Sequence, residues 1–306
     1  MRNNLRNELL TIVRDINARY ESFRSLSNDE LRDKLYKIAV VIDQSPNQNE
    51  TLNVFLPEVY AIVKETARRF SEGNIIVTAN ENDKRLADCY SFVKIEDDKA
   101  VYLNTWDAYG QVSVWNMIHY DEQLMGGILL HKGYAVEMAT GEGKTLVATL
   151  PVFLNALTHK GVHLMTANDY LSKRDCEQTR PLYMLYGLSA DCIEYYSRSD
   201  KRKKEAYTKD ITFGTNSSFV FDYLDDHLEV DPELCVQGQH HFAIVDELDS
   251  ILIDDAGTPH IVGGGNYYDI SMDYKENIEL IKELIRDENL FIANKYYKTA
   301  TFTEKG

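Results

Sequence analysis

Two short groups of residues in this sequence have the types and the order that phosphate chemistry requires. The first is the loop TGEGKT at residues 140–145, whose two glycines let the backbone approach a polyphosphate closely. Lys144 supplies a positive charge for the outer phosphates, and Thr145 supplies a hydroxyl for Mg²⁺. The loop therefore predicts phosphate binding rather than an ordinary glycine turn.

The residues around this loop support the same interpretation. The strict form of the motif has a glycine at the position of Met138, so this sequence carries a variant. Residues 134–138 predict a buried strand before the loop, and a helix is predicted over 144–158. The N-terminus of such a helix attracts the same anion through its free N–H groups and its positive dipole end.

The second group is acidic and lies within HFAIVDELDSILID at 241–254. Phe242–Val245 predicts a buried strand that ends at Asp246 and Glu247. The first acid can hold Mg²⁺ through water, and the second can polarise an attacking water. An acidic pair on its own is usually solvated surface. Downstream of a phosphate loop, it predicts phosphoryl transfer.

Strands and helices alternate between residues 115 and 262, which predicts an α/β domain with a mostly parallel sheet covered by helices. Ligands of such sheets lie at the carboxyl ends of the strands, where the phosphate loop also lies. Strands are predicted near 134–138, 162–166, 189–194, 210–215 and 241–246, and helices near 121–131, 144–158, 169–186, 201–207 and 217–227.

Residues 1–70 predict a segment made only of helices. Ser27 and Glu30 form a capping box that starts one of them. A further helix is predicted over 56–70, with Pro57 in its first turn.

Residues 71–114 predict a small β-rich insertion, with a strand at 74–78 and a hairpin made of 91–95 and 100–103. No motif in this segment indicates a function, so a surface elaboration is expected.

Residues 263–306 predict the start of a second domain of the α+β class. It begins after a run of three glycines and contains a predicted helix over 274–288 and strands at 291–294 and 297–302. Because no closing element follows, we expect the chain to be part of a longer protein.

Composition narrows the class of protein. The formal net charge of −16 and the sequence pI of about 4.9 argue against broad, non-specific binding to nucleic acid. The four cysteines form no C-x-x-C pair, which suits a reducing cytoplasm, and no apolar run reaches transmembrane length.

The basic run at 201–204 is expected to be a solvated helix face, with anionic lipid as the alternative partner. The neighbours His240 and His241 point to opposite faces of a strand, which argues against a metal pair.

Several blocks of the sequence resemble SecA, a family of ATP-driven preprotein translocase motors within the wider class of DEAD-type helicase motors. The blocks are HYDEQLMGG at 119–127, EMATGEGKT at 137–145, TANDYLSKRD at 166–175, DITFGTNSSFVFDYL at 210–224 and IVDELDSILIDDAGTPHIVGG at 244–264. The last two blocks resemble SecA specifically rather than helicases in general. The resemblance covers nearly the whole chain outside 71–114.

The resemblance implies a RecA-like P-loop NTPase domain at 115–262 that binds ATP or ADP with Mg²⁺. The start of the preprotein cross-linking domain would follow it at 263–306. Glu247 would be the catalytic base, and Thr145 and Asp246 would hold the metal. The implied nucleotide-binding residues are Met117, Tyr120, Gln123, Thr140, Gly141, Glu142, Gly143, Lys144 and Thr145. Among these, Gln123 would read the adenine edge.

The resemblance also implies partners and a location. The partners are an unfolded preprotein, the Sec translocon channel and, through the full-length protein, an anionic membrane surface. The location is cytoplasmic and peripheral to the inner membrane, no specific nucleic acid is implied, and a homodimer is compatible with this account. Because a second RecA-like domain would supply arginine fingers, residues 1–306 alone are expected to bind nucleotide weakly and to hydrolyse little.

Two alternatives stay open beside the translocase. One is a DEAD-type nucleic-acid helicase motor, and the other is a non-enzymatic interaction module on the same scaffold. The sequence departs from SecA at Ile118, Asp225 and Gly257, where the family usually has arginine. These departures put local salt bridges in doubt, not the nucleotide site. His119 is expected to be a structural polar residue rather than a nucleotide contact.

Overall fold

The computed structural model describes residues 2–197, 200–254, 256–260, 282, 290–294 and 299–303. The chain forms two compact units, residues 1–260 and residues 261–306. The first unit contains both the phosphate loop and the acidic pair.

Three helices open the first unit: α1 (Arg2–Phe23), α2 (Asn28–Asp43) and α3 (Gln48–Glu72). The predicted capping box starts α2, because Ser27 Oγ accepts from the Glu30 N–H and the Glu30 carboxylate accepts from the Ser27 N–H. The predicted start of α3 at residue 56 is wrong. The helix is longer, and Pro57 lies inside it. The polar run at 45–50, which resembles a loop, contains Asn47, and Asn47 caps the N-terminus of the helix.

Residues 75–114 form two small antiparallel sheets and one helix that was not predicted. The first sheet has the strand order β1-β3-β2, and the second is a hairpin of β4 and β5. The elements are β1 (Ile75–Thr78), α4 (Glu81–Cys89), β2 (Val93–Glu96), β3 (Lys99–Tyr102), β4 (Thr105–Ala108) and β5 (Gln111–Val114).

A buried ion pair ties this segment to the helices before it. Arg32 on α2 donates two hydrogen bonds to the carboxylate of Asp83 on α4, at 2.9 and 2.7 Å. Tyr102 Oη on β3 donates to the same carboxylate at 2.6 Å, and Asp83 is fully buried. The segment therefore packs as part of the first unit. Its own residues Trp106 and Tyr102 belong to the same hydrophobic core as α3.

The predicted α/β architecture follows. Its sheet has the order β7-β8-β6-β9, and all three pairings are parallel. The elements are α5 (Asp121–His131), α6 (Lys144–Ala156), β6 (Val162–Thr166), α7 (Asp169–Met184), β7 (Ala190–Cys192), α8 (Lys201–Tyr207), β8 (Ile211–Thr215), α9 (Asn216–Leu228) and β9 (Phe242–Val245). The fold class and the mostly parallel sheet are thus confirmed.

The strand predicted at 134–138 is wrong. These residues have no ladder partner within the described part of the chain. Val136 and Met138 lie instead beside Gly126 on α5. Backbone pairing, not apolar content, defines a strand, and here the apolar side chains contact a helix.

The helices α3, α5 and α6 pack closely together, and the phosphate loop lies in the connection between α5 and α6. Tyr60 Oη on α3 donates to the carbonyl of Gly127 on α5 at 2.9 Å. A Cβ at Gly127 would lie 2.9 Å from Leu150 Cδ1 on α6, so only glycine permits this approach. The connection from α5 to α6 therefore begins and ends at two closely packed helices.

The second unit contains the hairpin of β10 (Phe291–Asn294) and β11 (Thr299–Phe302), which pair antiparallel. Both predicted strands are present. The glycine run at 263–265 lies outside the described residues, and so does the helix predicted over 274–288, apart from Lys282, which is helical. No helix among the described residues of either unit is long and apolar enough to cross a membrane.

Candidate functional site

The last two residues of the predicted phosphate loop and the acidic pair line one cavity of about 730 Å³, a size typical of small-molecule sites, whereas residues 140–143 of the loop are not among its lining. Lys144 and Thr145 reach the cavity from the first turn of α6, and Asp246 and Glu247 reach it from the end of β9. Residues 133–138 and side chains from α7 complete the wall. The structure therefore brings the phosphate loop and the acidic pair to one site.

The phosphate loop closes on itself ahead of α6. The Glu142 carboxylate accepts from the Ala139 N–H at 2.9 Å, and the Glu142 N–H donates to the Ala139 carbonyl at 3.2 Å. Lys144 is the first residue of α6, so the N–H groups of the first helical turn have no partners within the helix. The Lys144 ammonium has no hydrogen-bond or ion-pair partner among the described residues, which leaves it available to an anion.

Gln123 fastens the start of α5 to this loop. Its Oε1 accepts from the Tyr120 N–H at 2.9 Å, and its Nε2 donates to the Glu142 carbonyl at 2.8 Å. The side chain is buried, so both ends of the amide are satisfied by backbone. Contact between Gln123 and adenine stays a prediction, and the second N–H of Nε2 and the second lone pair of Oε1 are the groups that would make it.

Gly143 is the point at which the loop can least tolerate a side chain. Its φ is +79°, and an added Cβ would lie 2.6 Å from Gln123 Nε2. Gly143→Ala is therefore expected to lower the free energy of unfolding by about 1–2 kcal/mol through backbone strain, and more through the displaced amide. Gly161→Ala is the matched control, because its φ is +84° with nothing within 4 Å of the added atom. Urea unfolding should show the larger loss for Gly143→Ala, and equal losses would contradict the clash.

Met117 and Tyr120 do not line the cavity. The Tyr120 side chain is largely exposed, and the Met117 carbonyl accepts from Trp115 Nε1 at 2.9 Å. Met117 and Tyr120 thus do not share the lining of this cavity with Lys144. Their contact with a nucleotide stays a prediction.

The acidic pair sits in an unusual turn after β9. The Asp246 N–H donates to the Met165 carbonyl at 2.9 Å, which completes the last parallel pair of β9 with β6, Val245 with Met165. Glu247 has a φ of +52°, and its N–H donates to Asp246 Oδ1 at 3.0 Å. A non-glycine residue in the left-handed region is strained, and such strain concentrates at functional positions.

Asp175 on α7 is a site residue that the sequence did not single out. Thr145 Oγ1 lies 3.5 Å from Asp175 Oδ2, and the aspartate is buried. Burial raises the pKa of Asp175, Arg174 lowers it through a 2.6 Å contact, and the nearby Asp246 raises it again. In the sequence, Asp175 lies at helical spacing from the other buried residues of α7. An acid on such a buried face is the signal that would have indicated a site residue.

His119 lies behind α6 and is buried, in keeping with the structural role expected of it. Its Nε2 lies 3.1 Å from both the Leu146 carbonyl and Thr149 Oγ1, so it bonds the second turn of the helix. Burial lowers the pKa of His119 from 6.5 to about 3. The imidazole is therefore neutral in the folded protein at neutral pH.

This depressed pKa predicts acid sensitivity. The unfolded chain takes up a proton near pH 6.5 that the folded chain refuses until about pH 3, so stability is full above pH 6.5 and falls below it. Between pH 7 and pH 5, protonation of His119 in the unfolded chain should lower the free energy of unfolding by about 2 kcal/mol. Denaturant unfolding of His119→Gln should show a shallower loss over that interval. Equal slopes for the two proteins would contradict this role.

The basic run and the histidine pair are the two other candidate groups in the sequence. Lys203, within the basic run, is buried and pairs with Asp222 at 2.6 Å, so the expectation of a solvated face is wrong there. His240 and His241 take part in no cluster of three metal-ligating side chains among the described residues.

Comparisons with known proteins point to one family. A model of the SecA DEAD-like domain matches residues 1–303. The protein translocase subunit SecA of Parabacteroides distasonis is 49% identical over 296 residues, and that of Bacteroides fragilis is 49% identical over 281 residues. That of Bacteroides thetaiotaomicron is 53% identical over 250 residues.

The alignments differ in how much of each protein they include. They cover 84%, 90% and 81% of this chain, and 26%, 25% and 22% of the respective relatives. The chain thus spans about a quarter of the length of the curated relatives it matches.

Proposed function

The chain belongs to the SecA family, and from that premise we propose that it is the ATP-binding motor domain of a preprotein translocase. In the full-length protein, ATP hydrolysis would drive polypeptide through the Sec channel. The observation that carries this proposal is the single cavity lined by Lys144, Thr145, Asp246 and Glu247. Residues 263–306 would begin the preprotein cross-linking domain.

The donors at the site suit Mg²⁺. The Thr145 hydroxyl and the carboxylates of Asp246 and Asp175 are hard oxygen ligands, which this cation prefers. Thr145 and Asp246 would hold the ion directly or through water. Bound there with ATP, Mg²⁺ would neutralise charge on the phosphates.

The chain's own residues perform the rest of the chemistry. Lys144 binds the outer phosphates of ATP as a point charge, and the N–H groups of the loop and of the first turn of α6 surround them. Glu247 orients the attacking water and accepts its proton. The proposed metal ligand Asp246 and the proposed base Glu247 are consecutive residues directly after β9.

The partners follow from the same proposal. They are an unfolded preprotein, the Sec translocon channel and an anionic membrane surface, and the protein works in the cytoplasm at the inner membrane. Residues 1–306 alone should turn over little, because an arginine finger from a second RecA-like domain is part of the proposed catalytic site.

A nucleic-acid helicase motor is the second candidate, since the two classes share this domain type. The discriminating experiment measures ATP turnover of the full-length protein with an unfolded preprotein or with single-stranded RNA. Stimulation by the preprotein and none by RNA is expected, in keeping with the net charge of −16. Stimulation by RNA alone would favour the helicase.

A further inference from the structure

The hairpin of β4 and β5 presents a strand edge that no described residue covers. The Trp115 N–H donates to the Asn104 carbonyl at 2.8 Å, at the open end of this hairpin. Antiparallel pairs alternate between bonded and non-bonded, so the N–H and C=O of Val112 and Val114 point away from β4. Among the residues that the structure describes, none bonds to these outward groups.

Apart from its short length of four residues, the strand β5 lacks the features that usually protect an edge. Its sequence QVSV contains no charge and no proline, and its register with β4 contains no bulge. Val112 is 76% exposed and Val114 is 48% exposed, and at a spacing of two they lie on the same face. An apolar edge of this kind is a template for another strand.

The edge of β1 shows the contrast within the same protein. Asn28 Nδ2 donates to the Ile76 carbonyl at 2.8 Å, and the Asp29 carboxylate accepts from the Thr78 N–H at 2.8 Å. Side chains of α2 thereby satisfy the outward backbone groups of β1. The hairpin edge has no such cover.

The hairpin is fixed in place on α7. Trp106 Nε1 donates to the Glu177 carbonyl at 3.0 Å, and the Glu177 carboxylate accepts from the Tyr109 N–H. Trp106 and Ala108 are both buried, so the inner face of β4 is fully used. The edge is therefore pre-ordered, which reduces the entropy lost when a partner adds to it.

We propose that the outer edge of β5 binds an extended segment of unfolded polypeptide as an added strand. The outward backbone groups of Val112 and Val114 are two residues apart. Only an extended chain has N–H and C=O groups at the matching two-residue spacing. Asp107 lies directly opposite Val112, and the chain carries a net charge of −16. These charges favour a basic segment and disfavour a second copy of this chain. The proposal rests on the proposed function, which supplies unfolded preprotein.

The test uses the full-length protein with a photo-crosslinking amino acid at Thr105, which pairs with Val114 and leaves the β5 edge intact. The probe is a synthetic peptide of alternating valine and lysine. Val112→Pro removes an N–H that the hairpin does not use, so the cross-linked yield should fall about fivefold while the hairpin stays folded. Val112→Lys should lower the yield as well, by charging the edge.

Ile76→Lys is the matched control, because it adds the same charge at the covered edge of β1 and should leave the yield unchanged. An undiminished yield in both Val112 variants would overturn the proposal, as would cross-links only within the chain or to a second copy. ATP turnover distinguishes a failure of the edge proposal from a failure of the proposed function. If stimulation by unfolded preprotein is absent in the unsubstituted protein, the proposed function fails; if stimulation is normal but no peptide cross-links, only the edge proposal fails.

Discussion

Replacing Lys144 with alanine in the full-length protein is expected to weaken nucleotide binding about a hundredfold. The Lys144 ammonium lines the cavity beside the acidic pair and has no ionic partner within the described part of the chain. A hydrogen bond from a charged group contributes roughly 1.5–3 kcal/mol, and each 1.4 kcal/mol is about tenfold in affinity. Calorimetric titration with Mg·ADP measures the effect directly.

Lys201→Ala is the matched control for this substitution. Lys201 is also the first residue of a helix, α8, and it is exposed and is not among the residues that line the cavity. Its removal should leave nucleotide affinity unchanged. Equal affinities for the Lys144 variant and the unsubstituted protein would show that the loop does not bind the phosphates.

Replacing Glu247 with glutamine should abolish most ATP hydrolysis and preserve ATP binding. Glutamine keeps the size and the hydrogen-bonding oxygen of the side chain but cannot accept a proton from water. General-base catalysis contributes roughly a hundredfold to ten-thousandfold in rate, so turnover should fall by about that factor. The measurement is steady-state phosphate release at saturating ATP.

Asp249→Asn provides the control for lost charge. Asp249 lines the same cavity two residues further on, so this change removes one carboxylate without removing the proposed base. It should retain most of the turnover. If the Glu247 and Asp249 variants lose activity equally, the effect is electrostatic and Glu247 is not the base.

Several helix boundaries can be predicted from the sequence, because caps and turns are local. The helices predicted over 121–131 and 201–207 have those bounds in the structure, and Ser27 caps α2 as its pattern indicates. The helix α4 was missed because ENDKRLADC contains few apolar residues. Its stability comes from distant partners, above all the Arg32–Asp83 pair, which no local pattern contains.

Sheet pairing was harder to predict because it depends on residues far apart in the chain. The four strands of the parallel sheet were identified by their apolar runs and by the helices between them. Residues 134–138 have the same apolar character, yet Val136 and Met138 pack on α5. Composition alone does not distinguish these two outcomes.

The candidate site shows the same division. The loop at 140–145 and the pair Asp246 and Glu247 could be predicted because each group is contiguous in sequence and has its own chemistry. Asp175 could not be predicted, because its place in the site depends on how closely α7 approaches Thr145. The bonds of Gln123 to Tyr120 and to the loop likewise depend on how α5 meets α6.

A structure of the full-length protein with Mg²⁺ and a non-hydrolysable ATP analogue tests most directly whether this cavity binds the nucleotide. We expect the outer phosphates to lie against the loop at 140–145, with the Lys144 ammonium on those phosphates and with Thr145 and Asp246 holding the metal. Phosphates bound elsewhere, or an empty cavity at saturating analogue, would contradict it.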